Sequence, residues 1–311
     1  MSAQRVAIVG TGLIGSSWAV HFLARGLDVI ASDPAAGAEE RLREYVARHS
    51  ETAARLAPAP AGPAGQLTFV ADARDAVRDA GFIQESGPER PGVKRALLAA
   101  LDEVAPPGVV IASSSSGLLP SEIQADCRHA DRVLVGHPFN PPHVIPLVEV
   151  VGGQRTSHDT VEAAMAFYRD AGKRPIHVRK EVIGHVANRL QAAVWREAYG
   201  LVLDDVVDVE DIDIAMTDGP GLRWALLGPF AIQMLAGGAG GMRHSLEHLG
   251  AALDDWWLDL HQTRLTDDVK ETIIAASAER MADQDPEDLI AARDALLVEL
   301  LLRKRETRGL P

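Results

Sequence analysis

RVAIVGTGLIGSSWAVHFLARGLDVIASD, residues 5–33, decides the fold. A run of Val and Ile ends at Gly10, the pattern Gly10-x-Gly12-x-x-Gly15 follows, and an apolar helical stretch leads to a second β-branched run ending at Asp33. Each glycine has its own reason. Gly10 permits the tight turn, Gly12 lets a pyrophosphate approach the backbone, and Gly15 lets the helix pack on the strand. The helix that opens here turns its free N–H groups toward the phosphates, so Gly10, Gly12, Leu13, Ile14 and Gly15 form the expected cofactor turn. A glycine turn alone is weak. Asp33, eighteen residues beyond Gly15, strengthens it, because a carboxylate there accepts hydrogen bonds from an adenosine ribose. The same carboxylate repels a 2′-phosphate and Pro34 supplies no arginine, so NAD is favoured over NADP.

Working outward, strand-like runs recur at 5–10, 28–33, 66–71, 82–86, 109–114, 132–136, 146–151 and 175–179, separated by helical stretches. This alternation predicts an α/β domain with a Rossmann-like, mostly parallel sheet. One charged, Ala-rich helix is expected over 38–56, followed by a loop, APAPAGPAG, at 57–65. After about Val182 strand alternation stops and helical periods take over. The domains predicted are therefore an NAD-binding domain over 1–182 and an all-helical substrate and dimerisation domain over 183–311, with a cleft between them. The last helix carries Leu289, Ile290, Leu296, Leu297, Leu300 and Leu301. Core packing explains this most simply, and a subunit interface is the other reading.

The bulk numbers narrow the partners. A chain of 311 residues that is 47% hydrophobic can bury a large core, and its net charge of −13 argues against nucleic acid or an anionic membrane surface. One cysteine, Cys127, excludes an internal disulfide framework and a Cys-rich zinc site; no metal is expected. The start MSAQRVAIVG has no basic and apolar leader, and no run is long enough to span a bilayer. A cytoplasmic, soluble protein with a small-molecule substrate is expected.

GHPFNPPHVIPLVEVVGG, residues 136–153, raises a different question, because it sets Glu149 between Val148 and Val150. A carboxylate in such a run is costly unless paired. If the Pro-rich turn folds the chain back, Glu149 meets His137 and the two make a general base with its orienting partner. The bland alternatives stay open at this point: His137 as one of eleven histidines facing solvent, and Glu149 on the polar face of an edge strand. Four serines, 113–116, end a neighbouring strand, and Ser116 is either a hydrogen-bond partner of a substrate oxygen or part of a polar turn. Asn188, near the start of the first helix of the second domain, either points its amide at the site or packs.

Together these residues resemble the 3-hydroxyacyl-CoA dehydrogenase superfamily over nearly the whole chain: GTGLIG with Asp33, QESGPER with Lys94, SSSSG, HPFNPP, LVEVVGG and NRL. The resemblance implies an NAD domain followed by a helical domain that usually dimerises, hence a homodimer. It implies His137 as general base, Glu149 as its partner, Ser116 and Asn188 as ligands of substrate oxygen and histidine, and Glu89 and Lys94 beside cofactor and substrate.

Departures from the acyl-CoA members are informative. Ser114 stands where those have Asn, and DGPGLRWALLGPF (218–230) introduces Arg223 and Trp224. That stretch is similar to the branch holding lambda-crystallin (L-gulonate 3-dehydrogenase) and L-carnitine 3-dehydrogenase, which use free hydroxy acids. A guanidinium suits a free carboxylate, making Arg223 the candidate anchor, with a surface helix-end arginine as the alternative. A quaternary ammonium would need aromatic rings, which Trp195, Trp224, Trp256 and Trp257 can supply, although core packing is the commoner use. The expected reaction is NAD-linked oxidation of the 3-hydroxyl of a free hydroxy acid of the L-gulonate, carnitine or 3-hydroxybutyrate kind. A 3-hydroxyacyl thioester substrate and an NAD-binding, crystallin-like protein with little turnover are the alternatives.

Overall fold

A computed structural model describes residues 5–57 and 64–310. The expected loop at 57–65 therefore lies mostly outside the described residues, as do residues 1–4. The chain divides into two compact units, 1–189 and 190–311.

In the first unit all eight expected strands form one sheet: β1 (Arg5–Val9), β2 (Asp28–Ser32), β3 (Leu67–Val70), β4 (Phe82–Glu85), β5 (Ile111–Ser113), β6 (Val133–Pro138), β7 (Leu147–Gly152) and β8 (Arg174–Val178). Their order is β3-β2-β1-β4-β5-β6-β7-β8. All neighbours are parallel except β6 and β7, whose antiparallel register sets His137 opposite Glu149. Helices α1 (Leu13–Leu23), α2 (Ala38–Leu56), α3 (Ala73–Val77), α4 (Pro91–Asp102), α5 (Pro120–Ile123) and α6 (His158–Asp170) cover this unit. With helices on both faces, β1 buries Val6 and Ile8 in one core and Ala7 and Val9 in the other, which is why its sequence is apolar throughout. The sheet order reverses at β1, between β2 and β4, and opens a crevice at the carboxyl ends of the strands where the glycine turn lies.

β6 runs two residues further than the sequence indicated, because β7 folds back on it and pairs its last residues. The return is braced from below. The buried Lys173 Nζ donates to the carbonyls of Pro142 and Ile145, and Ser17 Oγ accepts from the His143 N–H at 2.9 Å. Gly136, just before His137, is required by close approach: a Cβ there would lie 2.0 Å from the Tyr168 hydroxyl oxygen. That hydroxyl donates to Gln84 Oε1 (2.6 Å), and Gln84 Nε2 donates to Ser114 Oγ (2.8 Å) and to the Gly136 carbonyl (3.3 Å). Gln84 thus ties the serine turn to the strand of His137.

Helix α7 (Ala187–Leu203) begins in the first unit and continues into the second, followed by α8 (Val209–Thr217), α9 (Pro220–Trp224), α10 (Pro229–Ala236), α11 (Gly241–Asp259), α12 (Asp267–Arg280) and α13 (Pro286–Glu306). Asp208, Thr266 and Asp285 cap α8, α12 and α13 by accepting first-turn N–H bonds. Among the described residues of this unit only one apolar side chain, Val298, is fully buried, while Phe230, Trp257 and Leu258 are 77%, 62% and 86% exposed. No helix among the described residues is long and apolar enough to cross a membrane.

Candidate active site

The glycine turn lines a cleft of about 940 Å³ together with Ser32, Asp33, Asp72 and Ser86. Gly10 has φ +92°, and a Cβ on it would stand 2.7 Å from the Ser86 carbonyl carbon, so only glycine fits. Gly12 is the opposite case. A Cβ there would meet nothing within 4 Å, so its backbone faces open space at the start of α1, where no side chain caps the helix. The first-turn N–H groups at Leu13, Ile14 and Gly15 have no intrahelical acceptor and suit a pyrophosphate. Asp33 is fixed rather than free: Oδ2 accepts from the Thr11 N–H (2.8 Å) and Oδ1 from the Ala35 N–H (2.9 Å). Each oxygen keeps a lone pair for a ribose hydroxyl. Cradle, helix end and carboxylate fit an adenine dinucleotide.

A buried ion pair joins the end of β4 to α4. Lys94 Nζ lies 3.0 Å from both oxygens of Glu85, and both side chains are fully buried. Ser113 Oγ (2.5 Å) and the Gly87 N–H (2.6 Å) complete the Glu85 carboxylate. Lys94 also stands 3.5 Å from Glu89. Oε1 of Glu89 accepts from Ser115 Oγ (2.5 Å) and from the N–H groups of Ser116 (3.0 Å) and Gly117 (2.9 Å), so Glu89 shapes the serine turn. Burial pushes its carboxyl upward, but the Ser115 hydroxyl, the Gly117 N–H and Lys94 outweigh burial and hold it below the ordinary range. Neither Glu85 nor Ser115 stood out in the sequence, since a Glu after Gln and one serine among four carry no spacing signal.

His137 and Glu149 are brought together by the β6–β7 register, with Nδ1 to Oε2 at 2.8 Å and Glu149 wholly buried. The other oxygen, Oε1, accepts from the N–H groups of Val186 (2.8 Å) and Ala187 (3.0 Å), the first turn of α7. One carboxylate therefore orients an imidazole and caps a helix. This explains how a charge survives among valines: both oxygens are hydrogen-bonded, by three donors in all. Burial pushes the Glu149 carboxyl up, yet the bonds from His137, Ala187 and Val186 prevail and hold it below the usual carboxylate range. Through Glu149 the start of α7 is bonded to β7, and the first compact unit runs to Arg189.

The remaining sequence candidates are placed as follows. Ser116 is exposed on the turn after β5, joined to Glu89 through its N–H. Asn188 is partly buried on α7, one residue beyond the N–H that Glu149 accepts. Arg223 and Trp224 are exposed on α9 in the second unit, and no carboxylate pairs with Arg223 among the described residues. A side chain that sequence reasoning missed is His185. It is buried against the His137 ring, with centroids 5.2 Å apart.

Residues 5–182 match the 3-hydroxyacyl-CoA dehydrogenase NAD binding domain and residues 184–272 the 3-hydroxyacyl-CoA dehydrogenase C-terminal domain. An L-carnitine dehydrogenase of Streptomyces coelicolor is 47% identical over 300 residues, covering 96% of this chain and 94% of that protein. One of Pseudomonas aeruginosa is 46% identical over 303 residues, covering 97% and 94%. Among solved structures, FHMPC 5-dehydrogenase, described as an NAD+-dependent dismutase, matches with a TM-score of 0.83 and 28% identity over 98% of this chain and 99% of that one. A dinucleotide cradle at the glycine turn and family models matching in sequence across both units make this chain an NAD-dependent oxidoreductase belonging to the 3-hydroxyacyl-CoA dehydrogenase family.

Proposed function

We propose that the protein oxidises the 3-hydroxyl of a free hydroxy acid to the 3-oxo acid, with L-carnitine as the substrate to test first. The buried His137–Glu149 pair carries the reaction type, and the relatives named L-carnitine dehydrogenase support the substrate class. Bound NAD would supply the hydride acceptor. His137 takes the hydroxyl proton: with Nδ1–H donated to Glu149, the neutral ring has its lone pair on Nε2. Glu149 stays ionised and stabilises the imidazolium that forms. Ser116 and Asn188 hold the substrate oxygen and the histidine, while Glu89 and Lys94 shape the turn beside cofactor and substrate. Gly10, Gly12, Leu13, Ile14, Gly15 and Asp33 hold NAD. Arg223 serves as partner for the substrate carboxylate, with Trp224 beside it, and the exposed tryptophans of the second unit are candidates for a quaternary ammonium.

We assign the NAD domain to 1–182 and the helical substrate and dimerisation domain to 183–311. The exposed apolar faces of the helical unit support a homodimer, since such extensive apolar exposure marks a partner surface. A cytoplasmic setting agrees with the single Cys127, whose buried thiol is pushed up to about 12, chiefly by burial.

The deciding experiment is NADH formation with L-carnitine, L-gulonate, 3-hydroxybutyrate and 3-hydroxybutyryl-CoA. Turnover of the thioester alone would overturn the free-acid reading and the role of Arg223. His137→Ala should lower turnover by about 10²-fold or more while NAD affinity stays nearly unchanged; a protein that merely binds NAD would show no turnover to lose.

A further inference from the structure

His185 has no part in the roles assigned above, yet it touches three pieces of the site. Its φ is +48°, a left-handed conformation that a residue with a side chain adopts at a steric cost, and such outliers persist where the surroundings fix them. The imidazole is 1% exposed. Nε2 lies 3.2 Å from the carbonyl oxygen of Ser115. A carbonyl only accepts, so Nε2 carries the hydrogen and Nδ1 of the neutral ring carries a lone pair. That Nδ1 is buried without a hydrogen-bond partner among the described residues. The ring packs against His137 at 5.2 Å between centroids, tilted by 52°. The next two residues donate their N–H groups to Glu149. Burial is the main influence holding the imidazole toward its neutral form, the Ser115 carbonyl opposes it, His137 adds to it, and the Glu149 and Glu89 carboxylates oppose it.

A left-handed backbone and an orphaned ring nitrogen at one buried residue are more costly than an apolar side chain on an ordinary backbone. What the imidazole provides in return is a single rigid strut. It reaches from the start of α7 to the serine turn and lies along the base.

We propose that His185 is a positioning residue for the reaction: its Nε2–H fixes the Ser115 carbonyl, and with it the turn that carries Ser116. The proposal rests on His137 acting as the base. Without the strut the reacting groups remain present but their relative placement loosens, which lowers kcat more than it changes NAD binding.

The test compares His185→Gln with His185→Met, side chains of similar length of which only glutamine keeps an N–H donor for Ser115. Both are assayed beside His137→Ala with the hydroxy acid that the wild type turns over best, and NADH affinity is read by fluorescence. His185→Met should lower kcat about tenfold or more with NADH affinity within about twofold, and His185→Gln should stay within about threefold of wild type. Equal kcat for the two variants, whether both normal or both low, would overturn the proposal, because a space-filling ring has no need of the donor. His185→Leu replaces the methionine variant if that protein does not fold. Retained turnover in His137→Ala would instead sink the base assignment, a result distinct from equal kcat in the two His185 variants.

Discussion

Replacing Glu149 by glutamine changes one atom and tests the centre of the site. Oε1 can still accept from the Val186 and Ala187 N–H groups, so the cap on α7 survives. The amide then turns its NH2 toward His137 Nδ1, 2.8 Å away in the wild type. Two donors cannot face each other, so the ring must take the other tautomer and put its hydrogen on Nε2, where it no longer accepts a proton. The imidazolium also loses its charged partner, and a charge-assisted hydrogen bond in a buried site contributes about 1.5–3 kcal/mol. At about 1.4 kcal/mol per tenfold in rate, loss of the charge alone costs roughly one to two decades. The tautomer change adds to this, for an expected fall in kcat of about 10²–10⁴, the range of general-base catalysis as a whole. The assay is steady-state NADH formation at saturating substrate, with NADH affinity and thermal unfolding as controls. A Glu149→Gln enzyme that keeps kcat within about threefold would refute the orienting role of Glu149. Glu149→Ala is a separate matter. It strands His137 and two helix N–H groups at once and should cost about 3–5 kcal/mol of stability, as breaking a buried charged network does.

Asp33→Ser removes the acceptor of two backbone N–H groups and of the expected ribose hydroxyls, so NAD affinity should fall about tenfold or more while the preference over NADP narrows; isothermal titration showing unchanged NAD affinity would contradict that assignment. Sedimentation velocity should find a species of twice 33.3 kDa, and Leu258→Glu should shift it toward monomer; a wild-type monomer at micromolar concentration would contradict the dimer. Stability of the first unit should fall with acid in two stages, read by hydrogen exchange of the sheet amides. His21 and His185 are depressed, mainly by burial, so the fold disfavours their protonation; their contribution is full above about 6.5 and is lost as pH drops below that value toward their lower folded pKa. Glu149 is also held low, so its contribution is full above the unfolded carboxyl value and disappears only as pH falls through the folded one. In the second unit His261, raised by Asp204 and Glu197, runs the other way and contributes below about 6.5, a benefit lost as pH rises through its folded pKa. Sheet amides equally protected at about pH 7.5 and pH 5 would contradict the acid-side reasoning.

Local patterns carried most of the fold. Eight strands, the long helix at 38–56 and the glycine turn are each encoded within about thirty residues or fewer, where side-chain period and turn chemistry act directly. His137 and Glu149 were visible because a hairpin joins them, and a hairpin is a short-range structure. The family resemblance added Ser116, Asn188, Glu89 and Lys94 as candidates.

Tertiary structure decided what depends on groups distant in sequence. Ser113 reaches the Glu85 carboxylate from 28 residues away because β5 pairs with β4, and Gln84 links Tyr168, Ser114 and Gly136 across 84 and fewer residues. The second oxygen of Glu149 was unreadable, since its partners are backbone N–H groups 37 and 38 residues away, which every sequence contains. His185 was hidden for the same reason: its contact is a carbonyl 70 residues earlier. The βαβ frame, the glycine turn and the pairing of His137 with Glu149 could be read from the chain, because these rest on local spacing. Only the folded chain decided how that pair is held, because backbone donors and acceptors have no side-chain identity from which to read them.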